Sequence, residues 1–349
     1  MKVNTRALRE AVDNAARMIR STAIPITGFV RLTPTVNGLS VTSTNLDEFL
    51  VQSFKAQDFE SFKSCLVQPR HLLAALYLAG EEVEIEQTCK ELVIKSAATV
   101  CVKTADADEF PAMPAAASTK KEISCAELAA GIKSVAFCAN TNPARIELCS
   151  VHFASNDGKM VVEAVDGANG AFYEFPWVGD LTFLVSVEHA GRLQDALLKE
   201  GAELFLTGNL ASVKHALGSY SCKLLEAQFP NTKAMRTGEN FVMSKPLGEI
   251  SAETVAETLS AALLLWDANQ LPAMNLEFTP KAMSFESDAF NRQLEGKFAN
   301  HSTKVNAQAL RKCVQAFGEQ AVKIGTGQID FLRLEAGKLS AITMSLREK

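Results

Sequence analysis

Apolar residues recur at helical spacing in six segments of the chain. In the first segment, at about 3–19, Leu8, Val12, Ala15 and Ile19 form one stripe, as in a surface helix that buries a single face. Pro near a first turn, a Ser-x-x-Glu capping pattern and Gly after a last turn mark the ends of others. The predicted helices cover 3–19, 69–79, a segment that starts at 124, 187–201, 251–266 and 306–317.

Between the helices, the pattern changes to short apolar and β-branched runs that are typical of strands. These predicted strands cover 39–42, 83–86, 92–94, 160–165, 204–206, 274–278, 329–334 and 339–344. The helices are grouped between runs of strands rather than alternating strictly with them, which indicates the α+β class with antiparallel sheets. No glycine pattern of a dinucleotide-binding or phosphate-binding loop favours a doubly wound fold instead.

The same turn and helix-start patterns recur along the chain at intervals of about one third of its length. The turn residues Asn45, Asp166 and Asp288 follow strand-like segments and are 121 and 122 positions apart. The helix entries at 69, 187 and 306 are 118 and 119 positions apart, and a Phe-Pro dipeptide at 110 returns after 119 positions at 229. Each Phe-Pro opens a passage that is typical of a linker. The sequence therefore predicts three similar units with two helices each.

The composition is that of a globular protein. The 349 residues are 47% hydrophobic and 21% charged, which predicts two or three domains without a long disordered region. No apolar run reaches the ~18 residues of a membrane helix, and the first residues lack the apolar core of a signal peptide. The eight cysteines form no Cys-x-x-Cys pair, so we expect reduced thiols in the cytoplasm. The net charge of -5 argues against a uniformly basic surface but is compatible with one basic face.

Titratable residues do not form a recognisable catalytic or metal-binding pattern. Asp157, Glu163 and Asp166 lie close in sequence, but both aspartates precede a glycine, as turn residues do around a strand. The five histidines are scattered, and no serine-hydrolase, β-lactamase or zinc-protease motif is present. We therefore expect a protein without catalytic residues, metal or cofactor.

Basic residues on the predicted helices are the remaining candidates for a binding surface. Arg6, Arg9, Arg17 and Arg20 share one side of the first helix, and four of the other helices carry basic residues as well. Helix 251–266, by contrast, carries acidic residues and no basic one. From these positions alone, a nucleic-acid-binding surface and an ordinary solvent-exposed surface are equally good interpretations of the basic residues.

Several short motifs occur in order along the whole chain. The first two are Ile-Pro-Ile at 24–26 and Leu-Ser-Val-Thr-Ser-Thr-Asn-Leu-Asp at 39–47. Val-Glu-Ala-Val-Asp-Gly at 162–167, Gln-Phe-Pro at 228–230 and Met-Ser-Leu-Arg at 344–347 follow. In their order and spacing, and together with the threefold repeat, these motifs resemble the bacterial sliding clamp, the β subunit of the replicative DNA polymerase. The first two are similar to segments of the family's first domain, the next two to a strand and a linker of its second domain, and the last to its closing segment.

The resemblance implies three similar clamp domains, at 1–120, 121–245 and 246–349, each with two helices packed on antiparallel sheets. Together they would form half of a ring, and a head-to-tail homodimer would close that ring around duplex DNA without reading its sequence. Such a processivity factor tethers DNA polymerase during DNA replication, binds the clamp loader and other partners through short linear motifs, and catalyses nothing itself. The alternative is a clamp-fold interaction scaffold that no longer encircles DNA.

The resemblance also implies an apolar pocket for a partner peptide. The family's usual His-Arg-Leu after Asp-Gly is replaced by Ala-Asn-Gly at 168–170, an arginine by Ala234 and a proline by Ser345. Because anchoring contacts dominate small interfaces, these changes indicate a shallower pocket or one suited to a divergent peptide. Carried over by position, the pocket residues are Leu148, Val165, Gly167, Asn169, Pro230, Met235, Thr343, Met344, Leu346 and Arg347.

Residues expected to contact DNA combine the helical basic positions with two positions that the resemblance implies. Arg20 follows the first helix and Arg145 precedes the strand of the second domain, where the family has basic or polar residues. The full expected set is Arg17, Arg20, Arg70, Lys133, Arg145, Arg192 and Arg311.

Overall fold

The computed structural model of the chain describes residues 1–19, 24–96, 98–112, 114, 119–238, 240–267 and 270–346. These residues form two compact units. The first unit comprises Met1–Cys125 and Asp195–Lys223, and the second comprises Ala126–Gln194 and Leu224–Lys349. The division into three domains at 1–120, 121–245 and 246–349 stays a prediction.

The part of the chain that the structure describes contains seven α-helices. All six predicted helices are confirmed, with ends within four residues of the prediction. The additional helix, α5, has five residues, which is too short for a helical period to show in the sequence. The helices are α1 (Thr5–Met18), α2 (Pro69–Tyr77), α3 (Cys125–Val135), α4 (Val187–Leu197), α5 (Lys233–Thr237), α6 (Ala252–Leu263) and α7 (Ala307–Gln315).

Polar side chains cap the start of three of these helices. The Oδ1 of Asn4 accepts a hydrogen bond from the backbone N–H of Ala7 at 3.0 Å, and Ser251 and Asn306 cap α6 and α7 in the same way. Such caps satisfy backbone donors that have no partner inside the helix.

The described residues contain 24 strands, and all their pairings are antiparallel, which confirms the α+β class. The order strand, helix, four strands, helix, three strands occurs three times along the chain. The strands are β1 (Lys2–Asn4), β2 (Val30–Thr35), β3 (Gly38–Thr44), β4 (Glu48–Gln57), β5 (Cys65–Val67), β6 (Glu82–Gln87), β7 (Glu91–Lys95), β8 (Thr99–Asp106), β9 (Thr119–Lys121), β10 (Ser150–Asn156), β11 (Lys159–Val165), β12 (Asn169–Pro176), β13 (Thr182–Ser186), β14 (Glu203–Thr207), β15 (Leu210–His215), β16 (Gly218–Lys223), β17 (Lys245–Ser251), β18 (Ala273–Thr279), β19 (Ala282–Ser287), β20 (Phe290–Glu295), β21 (His301–Asn306), β22 (Ala321–Thr326), β23 (Phe331–Ala336) and β24 (Leu339–Met344).

The first unit is built on one sheet of twelve strands in the order β1-β6-β7-β8-β5-β2-β3-β4-β16-β15-β14-β9. The pairing of β4 with β16 joins segments from the first and second thirds of the chain. At this joint the buried Tyr220 donates a hydrogen bond from its hydroxyl to the buried carboxylate of Glu48 at 2.6 Å. Helices α1 and α2 pack side by side on the sheet and bury their apolar stripes in a core with Leu32, Leu39 and Val41.

The second unit contains two sheets. Eight strands follow the order β13-β10-β11-β12-β24-β23-β22-β17, and four follow β20-β19-β18-β21. Helices α6 and α7 pack against each other, and the pairing of β12 with β24 brings residues 169–173 beside residues 339–343. This pairing builds the candidate site, because it joins the middle of the chain to its last strand.

All eight predicted strands are confirmed, although one is shifted. The predicted strand 329–334 is Phe331–Ala336 in the structure. A tight turn at Gly337, whose φ is 57°, pairs Ala336 with Leu339 and so fixes where this hairpin begins. Strand β19 matches the strand-like segment that precedes Asp288, and some of the other strands, such as β1 and β9, are too short for the sequence pattern to mark them.

Candidate functional site

Four of the predicted pocket residues converge in the second unit on one apolar cluster. Leu148, Val165, Met235 and Met344 all belong to it. The cluster has five buried members and a half-buried rim of two phenylalanines and two methionines, so it presents apolar surface without being closed. The buried members are Leu148, Val165, Phe172, Phe331 and Ile342, and the rim consists of Phe229, Met235, Phe241 and Met344.

A tight turn between β11 and β12 forms one border of this cluster. The Oδ1 of Asp166 accepts hydrogen bonds from the backbone N–H groups of Ala168 and Asn169 at 2.8 and 2.7 Å. Gly167 has a φ of 102°, a backbone conformation that favours glycine. The backbone N–H of Met344 donates to the carbonyl oxygen of Ala168 at 3.1 Å, which holds the last strand to the turn.

Residues 229–241, which we call the strap, form a second border. The strap contains α5 and contributes Phe229, Met235 and Phe241 to the cluster. The buried Arg333 donates hydrogen bonds from Nη1 to the carbonyl oxygens of Met235 and Phe241, each at 3.1 Å. One guanidinium therefore holds two points of the strap. Glu239, within the strap, lies outside the described residues.

The other predicted pocket residues take different places. Gly167 and Asn169 shape the turn, and Thr343 is buried in β24 opposite Asn169. Pro230 is half-buried beside Phe229 in the strap. Leu346 is half-buried and its backbone N–H donates to the carbonyl oxygen of Lys304 at 2.7 Å. Arg347 lies outside the described residues.

Five members of the cluster were missed in the sequence. Phe172 faces the last strand only because β12 pairs with β24, and Phe331 lies opposite Met344 on the neighbouring strand β23. The Phe-Pro motif predicts a linker at Phe229, but the ring of Phe229 packs against the cluster. No sequence signal distinguished Phe241 and Ile342 from ordinary core residues.

Arg145 supplies positive charge near the turn. Its Nε donates to the Oε1 of Glu147 at 3.3 Å, and its side chain remains about half exposed. A Cβ on Gly167 would lie 3.5 Å from the Nη1 of Arg145, so the guanidinium passes close to the glycine. This predicted DNA-contacting residue therefore stands beside the apolar cluster.

The basic face of α1 is partly neutralised by acidic neighbours. Arg17 pairs with Asp13 at 2.7 Å and Arg6 with Glu10 at 2.9 Å, each one helical turn apart. These arginines are still largely exposed to solvent. The guanidinium of Arg9 lies over the ring of the exposed Tyr77 on α2, 5.4 Å from its centroid. Helix α1 therefore exposes guanidinium groups to solvent, although the net charge of the helix is small.

The remaining predicted DNA contacts differ in exposure. Arg70 on α2 and Lys133 on α3 are exposed. Arg192 on α4 and Arg311 on α7 are half-buried. Arg20 lies outside the described residues.

The described residues contain neither a metal-binding cluster nor a membrane-spanning helix. Within the described ranges, no group of three His, Cys, Asp or Glu side chains is placed to hold a metal ion. No helix in the same ranges has the length and apolar character needed to cross a membrane.

Solved structures of bacterial DNA polymerase III β subunits match this fold along its full length. The β subunit of Thermotoga maritima is 16% identical, with a TM-score of 0.85 and coverage of 100% of this chain and 99% of its own. The subunit of Pseudomonas aeruginosa is 16% identical, with a TM-score of 0.87 and full coverage of both chains. The subunit of Streptococcus pyogenes is 17% identical, with a TM-score of 0.88 and 99% coverage of each chain.

No protein-family model and no curated protein sequence matches the chain. The likeness therefore rests on three-dimensional structure, and at such low identity it shows the fold. The chain has the fold of the bacterial sliding clamp.

Proposed function

We propose that this chain is a DNA sliding clamp, a ring-shaped homodimer that encircles duplex DNA and tethers a replicative polymerase to it. The observation that carries the proposal is the full-length match to β subunits, combined with an order of elements that occurs three times. Three domains in each of two chains, at 1–120, 121–245 and 246–349, would supply six repeats for the ring. Its action is topological, so it needs no catalytic group.

Two strand edges support a head-to-tail dimer. Strand β8 pairs with β7 over 99–103 but reaches β5 only over 104–106, so one edge of 99–103 has no strand partner among the described residues. Strand β20 is the end of its sheet and pairs only with β19 within the same residues. Since free edges accept strands from other chains, we propose that β8 of one copy meets β20 of the other.

Duplex DNA is the proposed occupant of the ring. Arginine and lysine side chains on the helices would contact phosphates without reading bases, so the ring could slide. The proposed contacts are the basic residues predicted above, including Arg17, Arg70 and Lys133. Overall the chain carries a charge of -5, so an acidic outer surface would direct DNA to the channel. The protein would act in the cytoplasm with the polymerase and the clamp loader.

The apolar cluster is the proposed site for partner peptides. Its rim of Phe229, Met235, Phe241 and Met344 suits an extended peptide that carries large apolar side chains. We call this surface the cleft. DNA polymerase and the clamp loader would share it through short linear motifs.

The decisive experiment measures retention on DNA. The protein is loaded on nicked circular DNA with a bacterial clamp loader, and retention is compared before and after the circle is cut once. A clamp stays on the circle and runs off the cut molecule, and it elutes as a dimer in size-exclusion chromatography with light scattering. A monomer that binds apolar peptides and is not retained on the circle would instead establish the scaffold alternative.

A further inference from the structure

A buried carboxylate lies beneath the strap. Glu163 is 2% exposed and sits in β11 between Val162 and Ala164, in a run of buried residues. A buried carboxylate costs several kcal/mol unless it is paired and hydrogen-bonded, and an apolar side chain would fill the same place without that cost. The partners of Glu163 therefore indicate what the carboxylate does.

Two of these partners belong to the strap. The hydroxyl of Thr232 donates to the Oε2 of Glu163 at 2.5 Å. The Nε of Arg236 forms an ion pair with the same oxygen at 3.6 Å, beyond hydrogen-bond distance, and its Nη1 donates to the Oε1 of Glu174 at 3.4 Å. The side chain of Arg236 is 9% exposed, so this charge pair is largely shielded from water.

The third partner connects Glu163 to the rim of the cleft. The Nδ1 of His152 lies 2.8 Å from the Oε1 of Glu163. The imidazole stacks on the ring of Phe229, with centroids 4.5 Å apart and an angle of 28° between the planes. Glu163 therefore contacts the strap directly at Thr232 and Arg236 and, through His152, at Phe229.

Arg333 holds the strap at two further points. It is 7% exposed and lies on β23, where its hydrogen bonds hold the carbonyl oxygens of Met235 and Phe241. Its Nε also donates to the carboxylate of Glu335, which balances the buried charge. A charged donor to a backbone carbonyl is a strong hydrogen bond, and here it fixes the backbone beside two rim side chains.

We propose that Glu163 and Arg333 are positioning residues for partner binding. They hold the strap against the sheet so that Phe229, Met235 and Phe241 form one preorganised rim. This inference rests on the proposed function, because it assumes that the cleft binds peptides. Rigid borders raise affinity by reducing the ordering that binding requires, so loosening the strap weakens binding without removing a contact residue.

The test compares Glu163→Leu, Glu163→Gln and Arg333→Met with the wild-type protein. The probes are peptides selected from a random library on the wild-type protein whose binding is lost with Met344→Ala. We expect the dissociation constant to rise at least tenfold in Glu163→Leu and Arg333→Met. Glu163→Gln keeps a hydrogen-bonding group beside Thr232 and should restore affinity to within about threefold of wild type. Hydrogen exchange of strap amides should accelerate at least tenfold in the two weakened variants while β10 and β11 stay protected.

Glu48→Leu is the matched control, because Glu48 is a buried glutamate that hydrogen-bonds Tyr220 in the first unit. It should lower the thermal midpoint as Glu163→Leu does and leave peptide affinity unchanged. If Glu163→Leu fails to fold, Thr232→Val replaces it, with the same direction expected. Peptide affinity that stays at the wild-type value in the folded strap variants would overturn the inference. If no selected peptide depends on Met344, the proposed cleft itself is wrong.

Discussion

Single side chains fasten distant parts of the second unit to each other, and Glu127 is an example. Its carboxylate accepts a hydrogen bond from the hydroxyl of Tyr173 at 2.9 Å and pairs with the ammonium group of Lys338. The hydrogen bond from Lys338 is the main reason why the pKa of Glu127 is lowered from its ordinary value of 4.5. Folding therefore favours the charged form of this carboxyl group.

We expect Glu127→Gln to lower the free energy of unfolding by about 1 kcal/mol at pH 7, the scale of a charged hydrogen bond that is partly exposed. The carboxylate's contribution is complete above pH 4.5 and is lost as the pH falls through the lower folded pKa. Urea unfolding of both proteins from pH 7 downward measures this difference. Glu10→Gln, in an exposed pair with Arg6, should change stability by less than about 0.5 kcal/mol. A difference that grows toward low pH would contradict this account.

The cysteines differ in burial, so we expect them to differ in reactivity. Burial raises the pKa of Cys222 and of Cys313 to about 12, whereas Cys89 and Cys101 are exposed. Because the thiolate is the reactive form, iodoacetamide at pH 8 should modify Cys89, which lies outside the proposed dimer contact, in the native protein and leave Cys222 and Cys313 unmodified. Peptide mass spectrometry gives the extent at each site, with urea-unfolded protein as the fully labelled control. Equal labelling of Cys313 and Cys89 in native protein would refute this prediction.

The cluster residues that the sequence predicts all come from the resemblance to sliding clamps. Val165 and Met344 lie within its short motifs, whereas the two other predicted members are carried over by position alone. The sequence pattern places Glu163 and its neighbours in a strand and its turns and does not indicate that this glutamate is buried. Its partners Thr232 and Arg236 are about 70 positions away in the chain, and only folding brings them together.

How well a helix or strand is predicted depends on how much hydrophobic periodicity its sequence shows. Helix α1 shows four helical turns of apolar spacing and was predicted to within two residues. Strand β20 contains Asn291, Arg292 and Gln293 in succession and shows no alternation that would mark it as a strand. Edge strands are often polar in this way, so the elements that we propose for dimer contact are the ones that hydrophobic patterning predicts least well.

The joint between β4 and β16 depends on one glycine. Gly218 has a φ of 143°, and a Cβ there would lie 1.9 Å from the carbonyl oxygen of Val51. We expect Gly218→Ala to lower the free energy of unfolding by about 3 kcal/mol, because it combines backbone strain with a clash against a neighbouring strand. Chemical denaturation measures the loss. Gly208→Ala is the control, since its φ is 53° but its Cβ would meet no atom within 4 Å. Equal effects of both changes would show that the clash with Val51 is relieved at no cost.

The basic face of α1 can be tested with one substitution that should weaken DNA binding and one that should strengthen it. Arg17→Ala should weaken duplex binding and reduce the slope of log affinity against log salt by about one, the loss of one phosphate contact. Asp13→Asn removes the partner that pairs with Arg17 at 2.7 Å, so it should strengthen binding. Fluorescence anisotropy of a labelled duplex over a salt series measures both effects. Lys323→Ala, on a strand of the second unit, should leave the slope unchanged. If Asp13→Asn and Arg17→Ala shift affinity in the same direction, α1 does not face DNA.

At the scale of the whole molecule, hydrophobic patterning predicts the internal repeat, whereas the ring of two chains is expected only from the resemblance to sliding clamps and stays a prediction. Signals spaced by 118 to 122 residues predicted three similar units, and the order of elements repeats three times in the structure. The net charge of -5 gives no sign of the proposed DNA partner, because a sum over the chain hides how charges are distributed. A closed ring would depend on contacts between two copies of the chain. In a single copy, the surfaces that make such contacts are visible only as free strand edges and exposed apolar side chains.

Leu264 and Leu265, just after α6, are such side chains, and they are 86% and 54% exposed. Two adjacent large apolar side chains form a small exposed patch, which a single exposed residue does not, and we place this patch in the proposed dimer contact. Leu264→Lys with Leu265→Lys should raise the dimer dissociation constant at least about 30-fold, or ~2 kcal/mol, because charge replaces buried apolar surface. Light scattering across a dilution series measures the dimer, and retention on circular DNA should fall with it. Val178→Lys, at an equally exposed position in the second unit, should change neither. A double variant that remains a dimer but leaves circular DNA would place the two leucines in DNA loading rather than in the contact between the two chains.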